Sequence, residues 1–311
     1  GNIQVINSNF SGSVWGSEIT GGLIGFALTG DLSEGEFRAS STVVDASGNV
    51  YIAGDQMIQK FDASGNYQKR WGNTDSSYDY GYANAEGQFS GYSDVKLAID
   101  SQNNIYATDS RNSRIQKFNS NGEFLLMIGG TGPNSYPAGS GYDNGEFNSF
   151  DLRIVVDSSD NLYVLDTGND RVQKFNSSGV FVSTWGSTGV NDGQFVQPKD
   201  IAIDNANNIY VYSERDGSYG SIKIQKFSSS GSFIYSVGAG SGDQALVLDG
   251  QLPYKTMAFD QANNLLVLDQ SKVKVFDSSG NFVRAYDTQY RASAITVDSA
   301  GNSYATSSYS S

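Results

Sequence analysis

The sequence predicts an all-β fold built from six copies of one four-stranded antiparallel unit. An apolar run that ends in Asp recurs six times, and each time a turn containing Asn and a second apolar run follow it. The steps between these anchors are 55, 57, 47, 56 and 38 residues, a period that indicates a repeat architecture. No stretch shows sustained helical periodicity. The anchors are Asp45, Asp100, Asp157, Asp204, Asp260 and Asp298.

The third copy shows the unit most clearly. Its predicted strands are Arg153–Asp157, Leu162–Asp166, Arg171–Phe175 and Val180–Trp185, and Asn, Asp, Ser and Gly occupy the turns between them. The third strand alternates apolar and polar residues, so we expect one of its faces to be wet. Four short antiparallel strands per repeat, joined by polar turns, describe a blade of a β-propeller.

The last copy is short, because only residues 307–311 follow its second strand. At the other end of the chain, Ile3–Ile6 resembles a third strand and Gly12–Gly16 resembles the end of a fourth. We therefore predict one domain, 1–311: a six-bladed β-propeller of four-stranded antiparallel blades, with the last blade closed by the N-terminal strands. The predicted blades are approximately 41–72, 96–129, 153–186, 199–238, 255–286, and 291–309 together with 1–16.

The repeat resembles the NHL-repeat family of β-propellers. The fullest match is Gly193-Gln194-Phe195, followed by the segments 198–204 and 208–211. The family's middle motif, Asp-x-x-Asn-x-Arg-Val/Ile-Gln-Lys-Phe, matches 109–118 and 166–175. The resemblance covers nearly the whole chain and implies the propeller fold. It implies little about function, because function depends on sites that differ among proteins of one fold.

The composition limits the available chemistry, because the chain has no His and no Cys. Ser-His-Asp and Cys-His catalysis, disulfides and Cys-ligated zinc are therefore excluded. Enzymes of related propeller families rely on His at or near their sites, so their chemistry does not transfer to any residue here. We predict that the chain is not an enzyme and has no cofactor, with Ca²⁺ as the one candidate ion.

A set of carboxylates ends the predicted second strands, where the strands of a propeller approach the central channel. One interpretation is a site for a cation with oxygen ligands, Ca²⁺ above all. The other is structural: Asp caps its own turn, and Asp109 and Asp166 pair with Arg114 and Arg171. We favour the structural interpretation because the pattern follows the repeat. The candidate metal ligands are Asp55, Asp109, Asp166 and Asp269.

The formal net charge of −13 opposes binding to nucleic acid, whose affinity comes from Lys and Arg neutralising phosphates. The sequence contains no run of 18 apolar residues, so we predict no membrane span. A chain without Cys is compatible with export from a prokaryotic cell, and we expect an extracellular or cell-surface location.

Functional residues are expected where the repeats differ, which is in the linkers between blades and in an insertion in the fourth blade. A surface of Tyr, Gly, Ser and Asn is typical of adaptable recognition. We predict a non-catalytic structural or interaction module that binds protein partners or copies of itself, as in a filament or surface layer. The alternatives are a Ca²⁺-dependent hydrolase or lyase at the central channel and a ligand-sensing ectodomain of a larger receptor. The candidate interaction residues are Tyr78, Tyr80, Tyr82, Tyr92, Tyr136, Tyr142, Tyr219, Leu23, Ile24 and Phe26.

Overall fold

The structure is a computed structural model of the 311-residue chain. It describes residues 4–5, 15–16, 38–54, 56–73, 85–90, 94–130, 141–148, 151–214, 222–238, 245–246, 257–269, 271–288, 294–297 and 302–306. Its strands are β1 (Gln4–Val5), β2 (Trp15–Gly16), β3 (Arg38–Val44), β4 (Val50–Gly54), β5 (Met57–Phe61), β6 (Tyr67–Gly72), β7 (Leu97–Ile99), β8 (Ile105–Asp109), β9 (Arg114–Phe118), β10 (Phe124–Gly129), β11 (Arg153–Val156), β12 (Leu162–Asp166), β13 (Arg171–Phe175), β14 (Phe181–Trp185), β15 (Val196–Ile203), β16 (Ile209–Glu214), β17 (Ile222–Phe227), β18 (Phe233–Val237), β19 (Met257–Phe259), β20 (Leu265–Asp269), β21 (Lys272–Phe276), β22 (Phe282–Asp287), β23 (Ala294–Val297) and β24 (Ser303–Thr306).

The chain has the predicted all-β propeller fold of four-stranded antiparallel blades. The five blades are β3–β6, β7–β10, β11–β14, β15–β18 and β19–β22, each with its strands paired in chain order. In the described residues the helical elements are two single 3₁₀ turns, Ser110–Asn112 and Thr167–Asn169. Neither is long or apolar enough to cross a membrane.

Two compact units make up the chain, and the prediction of one domain stays a prediction. One unit comprises Phe10–Gly16 and Gly25–Thr184, and the other Gly1–Asn9, Ser17–Ile24 and Trp185–Ser311. In the first unit, the core lies between neighbouring blades, where Ile58 and Phe118 belong to one buried cluster. In the second unit, Tyr210 and Phe276 share a core in the same way.

The second strand of a blade is buried on both faces, which explains its continuous apolar sequence. All five residues of β4, β8, β12 and β20 are buried. Successive side chains of such a strand point to opposite faces, so both faces are apolar and covered. β-Branched and aromatic side chains suit this environment. The fourth strand is the most exposed, and in β10 the side chains of Leu125 and Met127 are exposed while Ile128 is buried.

The third strand is more buried than its alternation predicts, most clearly in the second blade. All five residues of β9 are buried, including Lys117 with 5 % of its surface exposed. The Lys117 ammonium pairs with the Asp100 carboxylate at 3.0 Å. It also lies 4.7 Å from the centre of the Tyr106 ring and donates to the Ser177 carbonyl of the next blade at 3.1 Å. A Lys with these partners can be buried because its charge is compensated.

The predicted count of six blades is wrong, since five four-stranded blades are present. The last repeat contributes β23 and β24 to a sheet of three strands, and β1 is the third. However, β1 pairs with β24 in parallel, with Gln4 beside Tyr304, whereas a third blade strand would be antiparallel. The predicted fourth strand, β2, pairs in parallel with β3 of the first blade. Two-residue strands carry too little pattern to determine a partner or a direction.

Candidate functional site

The carboxylates that were candidate metal ligands are held by basic and amide groups. Asp109 is fully buried, and its Oδ2 accepts from Arg114 Nε at 2.7 Å and from Asn112 Nδ2 at 2.8 Å. Its Oδ1 accepts from the backbone N–H of Ser90 at 3.0 Å. Burial raises the pKa of Asp109, although the Arg114 guanidinium opposes that rise.

Asp166 in the third blade repeats this arrangement. It pairs with Arg171 Nε at 2.9 Å and accepts from Asn169 Nδ2 at 2.8 Å and from the Asn148 N–H at 2.9 Å. Asp269 instead forms an ion pair with Lys274. Asp55, the fourth candidate, lies outside the described residues. Among the residues that the structure describes, no group of three or more carboxylates is placed to hold a metal ion, and a Ca²⁺ site stays a prediction.

The same basic residues also hold the linkers that precede the blades. We call the segments 85–89, 141–147 and 189–195 the linker loops. Arg171 donates to the carbonyls of Tyr142, Asp143 and Glu146 at 2.7, 2.9 and 2.8 Å. In the second blade, Arg114 donates in the same way to the carbonyls of Ala85 and Gln88. The second and third blades thus position their own entry loops through the first residue of their third strands.

A buried Gln gives each linker loop a second, two-point attachment. Gln173 Oε1 accepts from the Gly145 N–H at 2.9 Å, and Gln173 Nε2 donates to the Glu146 carbonyl at 2.7 Å. Gln116 forms the same pair of bonds with residues 87 and 88, and Gln225 forms it with residues 193 and 194. These bonds satisfy backbone groups that would otherwise be orphaned beside a buried strand.

The loop ends in a Phe that belongs to the core. Phe89, Phe147 and Phe195 are fully buried. Phe147 packs edge-on against Phe175 of the third strand, with ring centres 5.8 Å apart. The Gly-Glu/Gln-Phe signature is therefore an anchor, in which Gly allows the backbone φ of +89° at Gly145 and Phe fills the core.

In the second and third linker loops one side chain is exposed to solvent. Tyr142 is 78 % exposed, and Val190, the residue at the matching position of the next loop, is 54 % exposed. Of the ten candidate interaction residues, Tyr142 alone lies in the described part of the chain. Tyr78, Tyr80, Tyr82, Tyr92, Tyr136, Tyr219, Leu23, Ile24 and Phe26 lie outside the described residues.

The repeated Asp anchors have a structural role, as the sequence suggests. Asp157 Oδ1 accepts from the N–H groups of Ser159 and Asn161, which forms the turn. Its Oδ2 accepts from the Tyr163 hydroxyl at 2.9 Å. Burial and this carboxylate raise the pKa of Tyr163. The Tyr and Lys members of these networks were not predicted from the sequence, although their recurrence at a fixed spacing from the Asp is a usable signal.

Comparison with known proteins supports the repeat. The NHL repeat model matches residues 95–118. Protein brain tumor from Drosophila melanogaster is 25 % identical over 135 residues, which cover 43 % of this chain and 12 % of that protein. The chain therefore spans about an eighth of that relative's length.

Solved structures share the fold at low identity. A virginiamycin B lyase from Staphylococcus aureus has a TM-score of 0.57 and 14 % identity, over 87 % of this chain and 78 % of that one. A gluconolactonase from Xanthomonas campestris has a TM-score of 0.51 and 16 % identity, over 82 % and 77 %. The prediction that the chain is not an enzyme is therefore wrong as an inference from this fold, since the fold carries a lyase and a lactonase.

The segment that the family model matches contains three strands, the repeated turn and the side chains that hold the linker loop. Residues 95–118 contain β7, β8 and β9 with the Asp100 turn, the Asp109–Arg114 pair and the Gln116 attachment. The predicted resemblance to the NHL repeat is thereby confirmed over residues 95–118, within a β-propeller fold.

Proposed function

We propose that the chain is a protein-interaction module that binds partners through the exposed side chains of its linker loops. The observation that carries the proposal is the contrast within residues 141–147. The backbone of this loop accepts three hydrogen bonds from Arg171 and exchanges two with Gln173, while the Tyr142 side chain is 78 % exposed.

A loop held in this way loses little conformational entropy when a partner binds. Rigid presentation raises affinity chiefly by lowering this ordering cost. Tyr adds a large amphipathic contact area with few rotatable bonds. The matching positions carry Tyr142 and Val190 on similarly anchored backbones, so the exposed side chain varies while its support does not.

The partner's chemistry follows from the charge of the loops. Asp143 lies directly beside Tyr142, and Asp192 follows Val190 by two residues. In a chain with a formal net charge of −13, such loops favour a protein surface with basic or neutral polar groups over a nucleic acid. We place this binding outside the cell or at its surface, with protein partners or copies of the chain as the bound species.

Site-specific photo-cross-linking tests the proposal. A photoreactive phenylalanine analogue replaces Tyr142 in one protein and Tyr67, a 41 % exposed residue of β6, in the control. We expect a discrete cross-linked species from position 142 only. An excess of the unlabelled chain should suppress it, and an excess of Tyr142→Ser should not. Equal capture at both positions, or equal suppression by both competitors, would contradict the proposal.

A lyase or hydrolase is the second candidate, and the similar solved structures favour it. One of them is a catalytically inactive variant of a virginiamycin B lyase in which a His is replaced by Ala, with quinupristin. This chain has no His, so an activity of that class would use other side chains; the candidates predicted from the sequence are carboxylates, with Ca²⁺ as the candidate ion. Mass spectrometry of quinupristin and of gluconolactone, after incubation with the chain with and without Ca²⁺, tests this. Turnover above that of the heat-unfolded chain would support it, and none would count against it.

A further inference from the structure

The fourth strand of the second blade differs from every other described fourth strand in having no polar or charged side chain. Its sequence is Phe-Leu-Leu-Met-Ile-Gly. The corresponding strands all contain such residues: Gln68, Lys69 and Arg70 in β6, Ser183 and Thr184 in β14, Ser236 in β18, and Arg284 and Asp287 in β22. Proteins commonly place charged or polar residues on edge strands to prevent pairing with other chains. This protection is absent from β10.

The strand is also an edge and is exposed. In the sheet order β10–β9–β8–β7, no described strand pairs with the outer side of β10. Leu125 and Met127 are 47 % and 40 % exposed, while Leu126 between them is half-buried, as expected if the two lie on the same face. At the two equivalent positions the first blade has Gln68 and Arg70, and the third has Val182 and Thr184. In the fifth blade the equivalent residues, Val283 and Ala285, are also apolar, but Arg284 lies between them. The combination of two exposed apolar side chains with a strand that carries no charged or polar residue is therefore particular to the second blade.

We propose that β10 pairs with β10 of a second copy of this chain, in antiparallel orientation and centred on Leu126. This register places Leu125 of one copy directly opposite Met127 of the other, and does so twice because a two-fold contact is self-complementary. The four side chains then form one apolar cross-strand cluster. The edge N–H and C=O groups gain partners in the same step.

The strand itself offers a second copy a matching apolar, uncharged surface, whereas charge disfavours contact between copies elsewhere. Two chains of formal net charge −13 repel each other, so a contact between copies requires a segment that contributes no charge. The strand β10 is such a segment. A single strand pair buries less than the about 1,200 Å² of a standard stable interface. The association is therefore weak and depends on protein concentration.

Sedimentation velocity over a concentration series tests the proposal. The average mass of the wild-type particles should rise toward twice the monomer mass as the protein concentration increases. The variant Leu125→Lys/Met127→Lys should remain monomeric. Because both side chains are exposed, these substitutions should leave the unfolding midpoint nearly unchanged. The control Val182→Lys/Thr184→Lys makes the same change at the equivalent positions of β14 and should dimerise like the wild type. A wild-type mass that does not change with concentration, or equal association of the Leu125/Met127 variant, would overturn the proposal.

Disulfide cross-linking tests the register, and the absence of Cys from the chain makes the background clean. Leu125→Cys mixed with Met127→Cys should give a cross-linked heterodimer on mild oxidation, because directly opposed strand residues lie within disulfide distance. Either variant alone should cross-link much less. Equal yields in all three samples would refute the register. Tyr142→Ser should leave this association intact, so failure of the linker-loop proposal and failure of this one are separable.

Discussion

At the scale of single residues, a turn residue with left-handed backbone ties three of the blades to the blade that precedes them. Asp160 has φ of 62° and accepts from both the N–H and the hydroxyl of Ser101 in the preceding blade, each at 2.8 Å. Asn103 and Asn263 have the same backbone and accept from Ala46 and Asn205. Asn and Asp suit this position because they tolerate positive φ and carry an acceptor.

Asp160→Ala should therefore lower the free energy of unfolding by about 1–2 kcal/mol, because Ala tolerates positive φ poorly and offers no acceptor to Ser101. Asp160→Asn should cost much less, since Asn occupies the same position in other blades. Urea unfolding of the two variants beside the wild type measures the difference. Equal losses would mean that neither the backbone conformation nor the acceptor matters.

The same carboxylate should make stability depend on acid. Burial raises the pKa of Asp160, but the hydrogen bonds from Ser101 and Gln102, together with the Lys117 charge, outweigh it and hold the pKa below its ordinary value of 3.8. A lowered folded-state pKa contributes stability above the unfolded pKa, and this contribution is lost as pH falls through the folded value. The difference in unfolding free energy between wild type and Asp160→Asn should thus shift in favour of Asn below about pH 4. A difference that stays constant from neutral pH into acid would contradict this.

The buried pair Asp109–Arg114 makes a stronger prediction. Asp109→Ala leaves the Arg114 guanidinium buried without its carboxylate, which should cost about 3 kcal/mol of unfolding free energy. The control Asp62→Ala removes an exposed turn carboxylate and should cost less. Chemical denaturation measures both. If the two losses were equal, burial of the pair would not be the cause.

Packing between neighbouring blades depends on glycines at the scale of the element. Gly122 lies in the turn before β10 with φ of +75°, and a Cβ there would come within 2.6 Å of the Trp71 ring of the first blade. Gly145 has a similar φ of +89°, but a Cβ there would meet nothing within 4 Å. Position 122 therefore requires Gly for packing against Trp71 as well as for its backbone conformation.

Gly145→Ala should cost about 1 kcal/mol for its backbone alone. Gly122→Ala should cost about 2 kcal/mol more, because the added methyl group clashes with Trp71. In a Trp71→Leu background the excess cost of Gly122→Ala should largely disappear. Calorimetric melting of these variants provides the measurement, and an excess that survives in that background would assign the cost to another contact.

Much of the element pattern could be predicted from the sequence. The expected strands Leu162–Asp166 and Arg171–Phe175 coincide with β12 and β13, because polar turn residues bound short apolar or alternating runs. The burial of Lys117 could not be predicted, since alternation within one strand does not show that a neighbouring blade covers the polar face. The parallel pairing of β1 with β24 and of β2 with β3 could not be predicted either.

The candidate site was predicted in part. The sequence indicates that the linkers differ between blades and that Tyr142 belongs to one of them. It does not show that Gln173 and Arg171 hold the loop, because these partners lie 25 to 29 residues from the atoms they bind. The predicted ion pair between Asp109 and Arg114 is confirmed. It could be predicted because the two residues are five apart in the sequence, across one tight turn.

Charge dominates at the scale of the whole molecule, where 33 acidic residues outnumber 20 basic ones. Self-association through the uncharged β10 edge should strengthen as salt is added, because salt screens the repulsion between copies. Raising the ionic strength from about 0.01 M to about 0.1 M shortens the screening length from about 30 Å to about 10 Å. Sedimentation at both salt concentrations tests this. Association that weakens with salt would indicate attractive charge pairs in place of an apolar contact.

The Gln attachment of the linker loops has a consequence for the chemical lifetime of the protein. Asn144-Gly145 and Asp192-Gly193 are dipeptides of the kind that age by attack of the glycine nitrogen on the preceding side chain. In both loops that nitrogen donates its hydrogen to a buried amide oxygen, of Gln173 at 2.9 Å and of Gln225 at 2.8 Å. A glycine nitrogen held by this hydrogen bond is kept away from the geometry that it needs to attack the preceding side chain. Gln173→Ala should therefore accelerate deamidation of Asn144, as followed by peptide mass spectrometry, and an unchanged rate would show that the loop backbone is held without Gln173.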